Sequence, residues 1–196
     1  MIILATLNVG PHSYFDGLMK MTTSWHLVAD IGGTNARFSV VNHGKLSDCI
    51  DLHYSVKDYS EFNQVIEIVI EELREFSGLT NSPDLVCLAV ACPADSELIA
   101  FTNSHWKFFR EELKRKLNCR ELHIINDFEA LAHGVNELAS KDVLMIGNGF
   151  AHPKKPKAIL GAGTGLGVAA LMPHNYGYEI IASEGGHVDF APVTDL

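Results

Sequence analysis

The sequence predicts an α/β fold, and three observations carry that prediction. Apolar segments suited to interior strands alternate with segments whose apolar residues recur at helical spacing. Two pairs of strands are each joined by a short turn of glycine and other small residues. These two pairs share one plan although about 130 residues separate them. The pattern fits a duplicated α/β fold whose two hairpins face each other across a cleft. The alternative interpretation, two unrelated β-hairpins, stays open.

The first part of the chain predicts a hairpin, a helix and a buried strand. Residues 25–46, WHLVADIGGTNARFSVVNHGKL, carry apolar and β-branched runs on both sides of a glycine turn. Residues 61–76 place apolar side chains at helical spacing, with acids on the opposite face. Residues 84–93, DLVCLAVACP, form a continuous apolar run that ends at Pro93, which is typical of a strand buried on both faces.

The remaining elements follow in alternation. The sequence predicts, in order, a strand leading into a loop at 98–108, a short charged helix at 110–118, a strand at 121–126, a helix at 127–139, a turn-rich junction at 147–157, a second strand–turn–strand unit at 158–171, and a strand with a glycine-rich loop at 178–191.

Composition limits the classes of partner. The 196 residues are 47% hydrophobic, enough for a core, and the net charge of −9 argues against nucleic acid or a membrane surface. Cys49, Cys87, Cys92 and Cys119 form no CxxC pair, so we interpret them as reduced core thiols of a cytosolic protein. Residues 1–20 have no targeting pattern, and we expect a disordered extension, with translation beginning near Met21. Removing that extension should change stability by less than about 0.5 kcal/mol.

The glycine turns are candidate phosphate cradles. Glycine lets a ligand approach the backbone, and successive N–H groups bind anions. The candidates are Gly32, Gly33, Thr34, Gly161, Gly163, Thr164 and Gly165. No Lys follows either turn as a Walker A loop requires, and the GxGxGxG run continues as strand, unlike a dinucleotide fingerprint. Asp30, just before the first turn, is suited either to holding a Mg²⁺-bound water or to bonding turn amides.

Asn126 and Asp127 form a polar pair where a predicted interior strand ends. Asn126 can cap the following helix, with Glu129 reaching back. Asp127 gains little as a first-turn acid, and its strand-end position is where α/β folds place ligands. Two further stretches, FTNSHW at 101–106 and EGGH at 184–187, carry donors and acceptors suited to sugar hydroxyls, although each is also an ordinary loop composition.

Taken together, these motifs resemble the bacterial-type glucokinases of the hexokinase/actin-like ATPase superfamily. DIGGTNARF, ACP, FTNSHW, IINDFEALA, GAGTGLGVA and EGGHVDFAP occur in the family's order over residues 25–192. The resemblance implies a ribonuclease H-like, actin-like ATPase fold and the ATP-dependent phosphorylation of D-glucose to glucose 6-phosphate, the first step of glycolysis. It also implies ATP and Mg²⁺ as cofactors, a cytoplasmic location and a possible homodimer, without a nucleic-acid or membrane partner.

The resemblance also implies residue roles. It assigns ATP phosphates to Ala29, Asp30, Ile31, Gly32, Gly33, Thr34 and to Gly161, Gly163, Thr164 and Gly165. It assigns glucose to Asn103, Asn126, Asp127, Glu184 and His187, and proton removal from the 6-hydroxyl to Asp127.

The resemblance further implies a complete small domain at 21–139 and only the beginning of a large domain at 140–196. We therefore expect the 196-residue chain alone not to turn over glucose, and we expect its last strands to expose apolar surface. The alternative to a kinase is a vestigial or sensing protein that binds glucose without transferring phosphate.

Overall fold

The computed structural model describes residues 24–41, 51–77, 79–135, 137–150, 152, 154–163, 165–175 and 177–188. They form two compact units that divide between Asp127 and Phe128. The predicted extension at residues 1–20, the start near Met21, Cys49 and Thr164 lie outside the described residues.

The first unit is built on a five-stranded sheet. Its strands are β1 His26–Ile31, β2 Asn35–Val41, β3 Asp51–Ser55, β4 Leu85–Val90 and β7 Glu121–Asn126, in the order β3-β2-β1-β4-β7. β1 and β2 form the predicted antiparallel hairpin, whereas β1, β4 and β7 are parallel. Since a parallel connection needs a crossover, helices separate these strands along the chain.

Two helices and a small hairpin complete this unit. α1 spans Phe62–Ser77 and α2 spans Arg110–Leu117, so both predicted helices are confirmed. The apolar face of α1 is buried in the core with the inner strands, as its helical spacing predicts. Residues 98–108 form more than a strand and a loop, because β5 Leu98–Ala100 turns back and pairs with β6 Lys107–Phe109.

The described part of the second unit contains a three-stranded antiparallel sheet and the helix α3. β8 Lys157–Ala162, β9 Leu166–His174 and β10 Gly177–Ser183 lie in the order β10-β9-β8, and α3 spans Asp127–Val135. Ala132 of α3 is buried with Ile159, Ala169 and Leu171 of the sheet, and Phe128, Leu131 and Val135 pack against the same cluster. The chain therefore divides after Asp127, the first residue of α3, and the predicted domain limit at residue 139 stays a prediction.

Much apolar surface of the second unit is exposed. Its exposed large hydrophobic residues are Val143, Leu144, Met145, Ile146, Phe150, Leu160, Leu166, Met172, Ile181 and Val188. This agrees with the predicted exposure around the last strands. Separately, none of the helices in the described ranges is both long and apolar enough to cross a membrane. Cys92 and Cys119 are buried and Cys87 is half-buried, as predicted for core thiols.

Candidate functional site

The parallel strands of the first unit end at one level. In the strand register Ile31 of β1 is paired with Val90 of β4, and Val90 with Asn126 of β7. The residues that follow these three positions therefore meet at the carboxyl edge of the sheet, where open α/β sheets bind ligands. This carboxyl edge holds the first glycine turn, Gly32–Thr34, and the Asn126–Asp127 pair.

The first glycine turn is tight and partly exposed. The Gly32 N–H donates to the carbonyl of Asn35 at 2.9 Å, and the Val56 N–H donates to the carbonyl of Thr34 at 2.9 Å. Ala29 and Ile31, which are also predicted phosphate ligands, have buried side chains within a strand paired on both sides. Any contact between those two residues and ATP would have to use their backbones, and their predicted role stays a prediction.

Asp30 pairs with Arg37. Neither of the two roles predicted for Asp30, holding a Mg²⁺-bound water or bonding turn amides, includes this partner. Arg37 Nη1 donates to Asp30 Oδ2 at 3.2 Å, and the Asp30 side chain is 15% exposed. Burial raises the pKa of Asp30 above its ordinary value of 3.8, although the Arg37 guanidinium acts in the opposite direction. The hairpin register places Asp30 directly opposite Arg37, so the pair was open to prediction from the hairpin alone.

Asn126 and Asp127 lie where β7 ends and α3 begins. Both are half-buried. The Asn126 amide nitrogen Nδ2 donates to the carbonyl of Cys92 at 3.5 Å, which ties it to the segment following β4. The predicted helix-capping role of Asn126 stays a prediction.

Residues Phe101–Trp106, which we name the sugar loop after their predicted role, carry Asn103 close to the first glycine turn. A Cβ atom built on Gly33 would lie 2.9 Å from the Asn103 Cβ and 3.0 Å from its carbonyl oxygen. Only glycine admits such an approach, because real Cβ atoms do not come closer than 3.0 Å. A predicted phosphate turn and a predicted glucose ligand are thus in contact within one unit.

The second glycine turn, Gly163–Gly165, is open to approach. The Gly163 N–H donates to the carbonyl of Gly165 at 2.8 Å, and a Cβ at either glycine would meet nothing within 4 Å. Gly161 differs, because its missing side chain makes room for Phe128. A Cβ there would lie 2.5 Å from Phe128 Cζ, and a Cβ on its strand partner Gly167 would lie 1.8 Å from Phe128 Cε2.

Glu184 and His187 come together in the second unit. His187 Nδ1 lies 3.1 Å from Glu184 Oε2, and both side chains are more than half exposed. Their short helical turn is seated on the start of β9, since a Cβ on Gly186 would lie 1.7 Å from the Leu166 carbonyl oxygen. The pair therefore lies close in space to Leu166, which follows the second glycine turn.

Comparison with known proteins identifies the family. A family model described as Glucokinase matches residues 27–196. The chain belongs to the glucokinase family. It is 42% identical to a glucokinase of Colwellia psychrerythraea, over 87% of this chain and 50% of that protein, and 36% identical to a Helicobacter pylori glucokinase, over 90% and 52%. The chain spans about half the length of the curated relatives it matches.

Solved structures give the same fold. A glucokinase from an Antarctic psychrotroph is 31% identical with a TM-score of 0.69, covering 88% of this chain and 53% of that one. A Balamuthia mandrillaris glucokinase in complex with glucose is 25% identical with a TM-score of 0.66, covering 87% and 50%. A ROK hexokinase of Thermus thermophilus, at 18% identity and TM-score 0.56 over 86% and 54%, shares the fold. The predicted actin-like ATPase fold is confirmed.

Proposed function

We propose that this sequence supplies the glucose-binding and hydroxyl-activating part of an ATP-dependent glucokinase. The observation that carries the proposal is the carboxyl edge of the first sheet, where Asp127, Asn126 and the first glycine turn meet. Asn103 reaches the same turn through Gly33. A base, amide ligands for a sugar and N–H donors for phosphate are the groups that phosphoryl transfer to a sugar requires.

Asp127 is the proposed general base. The proton of the glucose 6-hydroxyl moves to its carboxylate while O6 forms a bond to the γ-phosphorus of ATP. The bond from that phosphorus to the β,γ-bridging oxygen breaks, and ADP leaves with the electron pair. A carboxylate in such a position contributes roughly 10²–10⁴-fold to the rate.

Asn126 and Asn103 are proposed to orient glucose. The hydrogen bond from the Asn126 amide nitrogen to the Cys92 carbonyl holds the amide group at this edge. A side-chain amide can both donate to and accept from sugar hydroxyls. Glu184 and His187 are proposed as further glucose ligands. Their mutual hydrogen bond holds a carboxylate and an imidazole in one exposed pair, with acceptors for more than one hydroxyl.

The glycine turns are proposed to bind the phosphates of ATP. Gly163 and Gly165 have open space where a side chain would lie, so a phosphate can approach the backbone of the second turn closely. Asp30 is proposed to hold Mg²⁺ through water, and Mg²⁺ when bound supplies charge neutralisation at the phosphates. The donor set suits that role, because Mg²⁺ keeps several waters and uses one or two carboxylates. A cytoplasmic location and a homodimer remain part of this proposal.

A chimera tests the proposal. Residues 27–196 would replace the matched half of the Colwellia psychrerythraea glucokinase, and glucose 6-phosphate would be measured in a coupled assay. We expect turnover by the chimera, a loss of about 10²–10⁴-fold with Asp127→Asn, and nearly unchanged glucose affinity in that variant. The 196-residue chain alone should show no turnover.

Three outcomes would contradict this proposal. Near-normal turnover by the Asp127→Asn chimera would remove Asp127 from the role of base. A chimera that binds glucose and ATP without forming product would favour the sensing protein over the kinase. Turnover by the 196-residue chain above the background of contaminating host kinase would show that no further part is needed.

A further inference from the structure

Two neighbouring side chains of the sugar loop bind one backbone carbonyl. His105 Nε2 lies 2.8 Å from the Tyr59 oxygen, and Trp106 Nε1 lies 3.0 Å from the same atom. Because a carbonyl only accepts, the hydrogen in the first contact lies on His105 Nε2. Two donors on one carbonyl fix the end of the sugar loop against the segment Val56–Tyr59, which we name the Tyr59 brace.

The Tyr59 brace is also bound to the first glycine turn. The Val56 N–H donates to the Thr34 carbonyl at 2.9 Å, and Gly33 in turn lies against Asn103. The three segments therefore close a ring: glycine turn to brace, brace to sugar loop, and sugar loop back to glycine turn. All three links lie within the first unit.

Buried aromatic side chains hold this ring in place. Trp106 is 1% exposed and packs on Phe62, with ring centroids 5.6 Å apart. The Tyr59 ring stands edge-on to Tyr54 at 5.9 Å. Asn103 itself is exposed, so its position is determined by the neighbours that carry it rather than by its own burial.

We propose that His105 and Trp106 are positioning residues for glucose binding, and that they act on Asn103 through the Tyr59 brace. The inference rests on the proposed function. Neither side chain needs to touch the sugar. Their two hydrogen bonds keep the sugar loop ordered before glucose arrives, so that binding does not have to order the loop.

Two tryptophans of the first unit give a matched pair of variants. Trp25 is also buried, and its Nε1 donates to the carbonyl of Asn81 at 3.2 Å, outside the ring. Trp106→Phe and Trp25→Phe each remove one indole donor and shorten one buried ring. On the 196-residue chain we would measure thermal unfolding, amide hydrogen exchange by segment, and glucose affinity by calorimetry.

We expect Trp106→Phe to weaken glucose binding by about 3- to 10-fold, as for one lost hydrogen bond, and to speed exchange in residues 101–106. Trp25→Phe should lower the melting temperature to a similar extent and leave glucose affinity unchanged. Equal glucose affinity in the two variants, or unchanged exchange in the sugar loop of Trp106→Phe, would overturn the inference.

His105 offers a rescue test. His105→Gln keeps an N–H donor on a side chain of similar reach and should retain most of the affinity, whereas His105→Leu should weaken it like Trp106→Phe. Equal affinities in these two variants would overturn the role of His105. If the unmodified chain fails to bind glucose, the proposed function itself is overturned. That result is distinct from failure of the positioning role, which appears only as a difference between variants.

Discussion

Replacing Gly33 with alanine is expected to disturb the fold and the site together. The new methyl group would lie 2.9 Å from the Asn103 Cβ, whereas carbon atoms in contact prefer about 3.5–4.0 Å. Its second neighbour is a backbone oxygen at 3.0 Å, which cannot rotate away. The sugar loop must therefore move by roughly half an ångström or more, and overpacking of this kind costs about 1–3 kcal/mol.

The size of this effect is measurable by thermal unfolding and calorimetry. A loss of 1 kcal/mol lowers the melting temperature by about 2–4 °C for a chain of 150–250 residues. Glucose affinity should fall as well, since Asn103 is displaced. Among described glycines only Gly147 and Gly177 have a positive φ, so backbone strain at Gly33 does not contribute.

Two other glycines serve as controls for the same chemical change. A Cβ on Gly32 meets only the Asn35 oxygen at 3.6 Å, an ordinary contact, so Gly32→Ala should change stability by less than about 0.5 kcal/mol. Gly134 in α3 has nothing within 4 Å, and Gly134→Ala should stabilise by about 0.5–1 kcal/mol. Equal stability and glucose affinity for Gly33→Ala and Gly32→Ala would refute the reasoning.

Three further results are expected. Gly167→Ala should displace the Phe128 ring and lower the free energy of unfolding by at least about 1–3 kcal/mol, as measured by chemical denaturation. Gly165→Ala should lower it by less than about 0.5 kcal/mol, and similar losses for the two variants would contradict this prediction. Because the folded-state pKa of Asp30 is raised, the folded chain loses stability as the pH rises above 3.8 and this carboxyl group ionises. The free energy of unfolding of Asp30→Asn, taken relative to that of the unmodified chain, should therefore increase from pH 3 to pH 7. A decrease in this difference over the same range would contradict the prediction. The exposed apolar residues of the second unit should make the 196-residue chain self-associate in light scattering, and a strict monomer would count against this.

The repeating elements and the edge of the sheet could be predicted from the sequence. Apolar runs ended by turn residues indicated β1, β4 and β7, helical spacing of apolar residues indicated α1, and a short charged segment indicated α2. The position of Asp127 at the carboxyl end of a strand could also be predicted from the sequence. That Asn126 lies level with Ile31, and so close to the first glycine turn, depends on the observed register of both strands with β4.

Contacts between distant segments could not be predicted in the same way. β3, DLHYS, is short and largely exposed, so it lacks the apolar alternation that marks a strand. The approach of Gly33 to Asn103 and the seat of Phe128 on Gly161 and Gly167 depend on tertiary packing. A glycine can allow a ligand to approach the backbone, allow a tight turn, or make room for a neighbouring aromatic ring. The sequence alone does not show which of these three roles a given glycine has.

We propose that glucose binds at the carboxyl edge of the first sheet with its 6-hydroxyl on Asp127. A crystal structure of the 196-residue chain with glucose tests it directly. We predict that glucose O6 lies within about 2.6–3.2 Å of an Asp127 carboxylate oxygen, the range required of a general base, with Asn103 and Asn126 on other hydroxyls. Glucose bound at this edge with O6 directed away from Asp127, or bound elsewhere, would contradict the account.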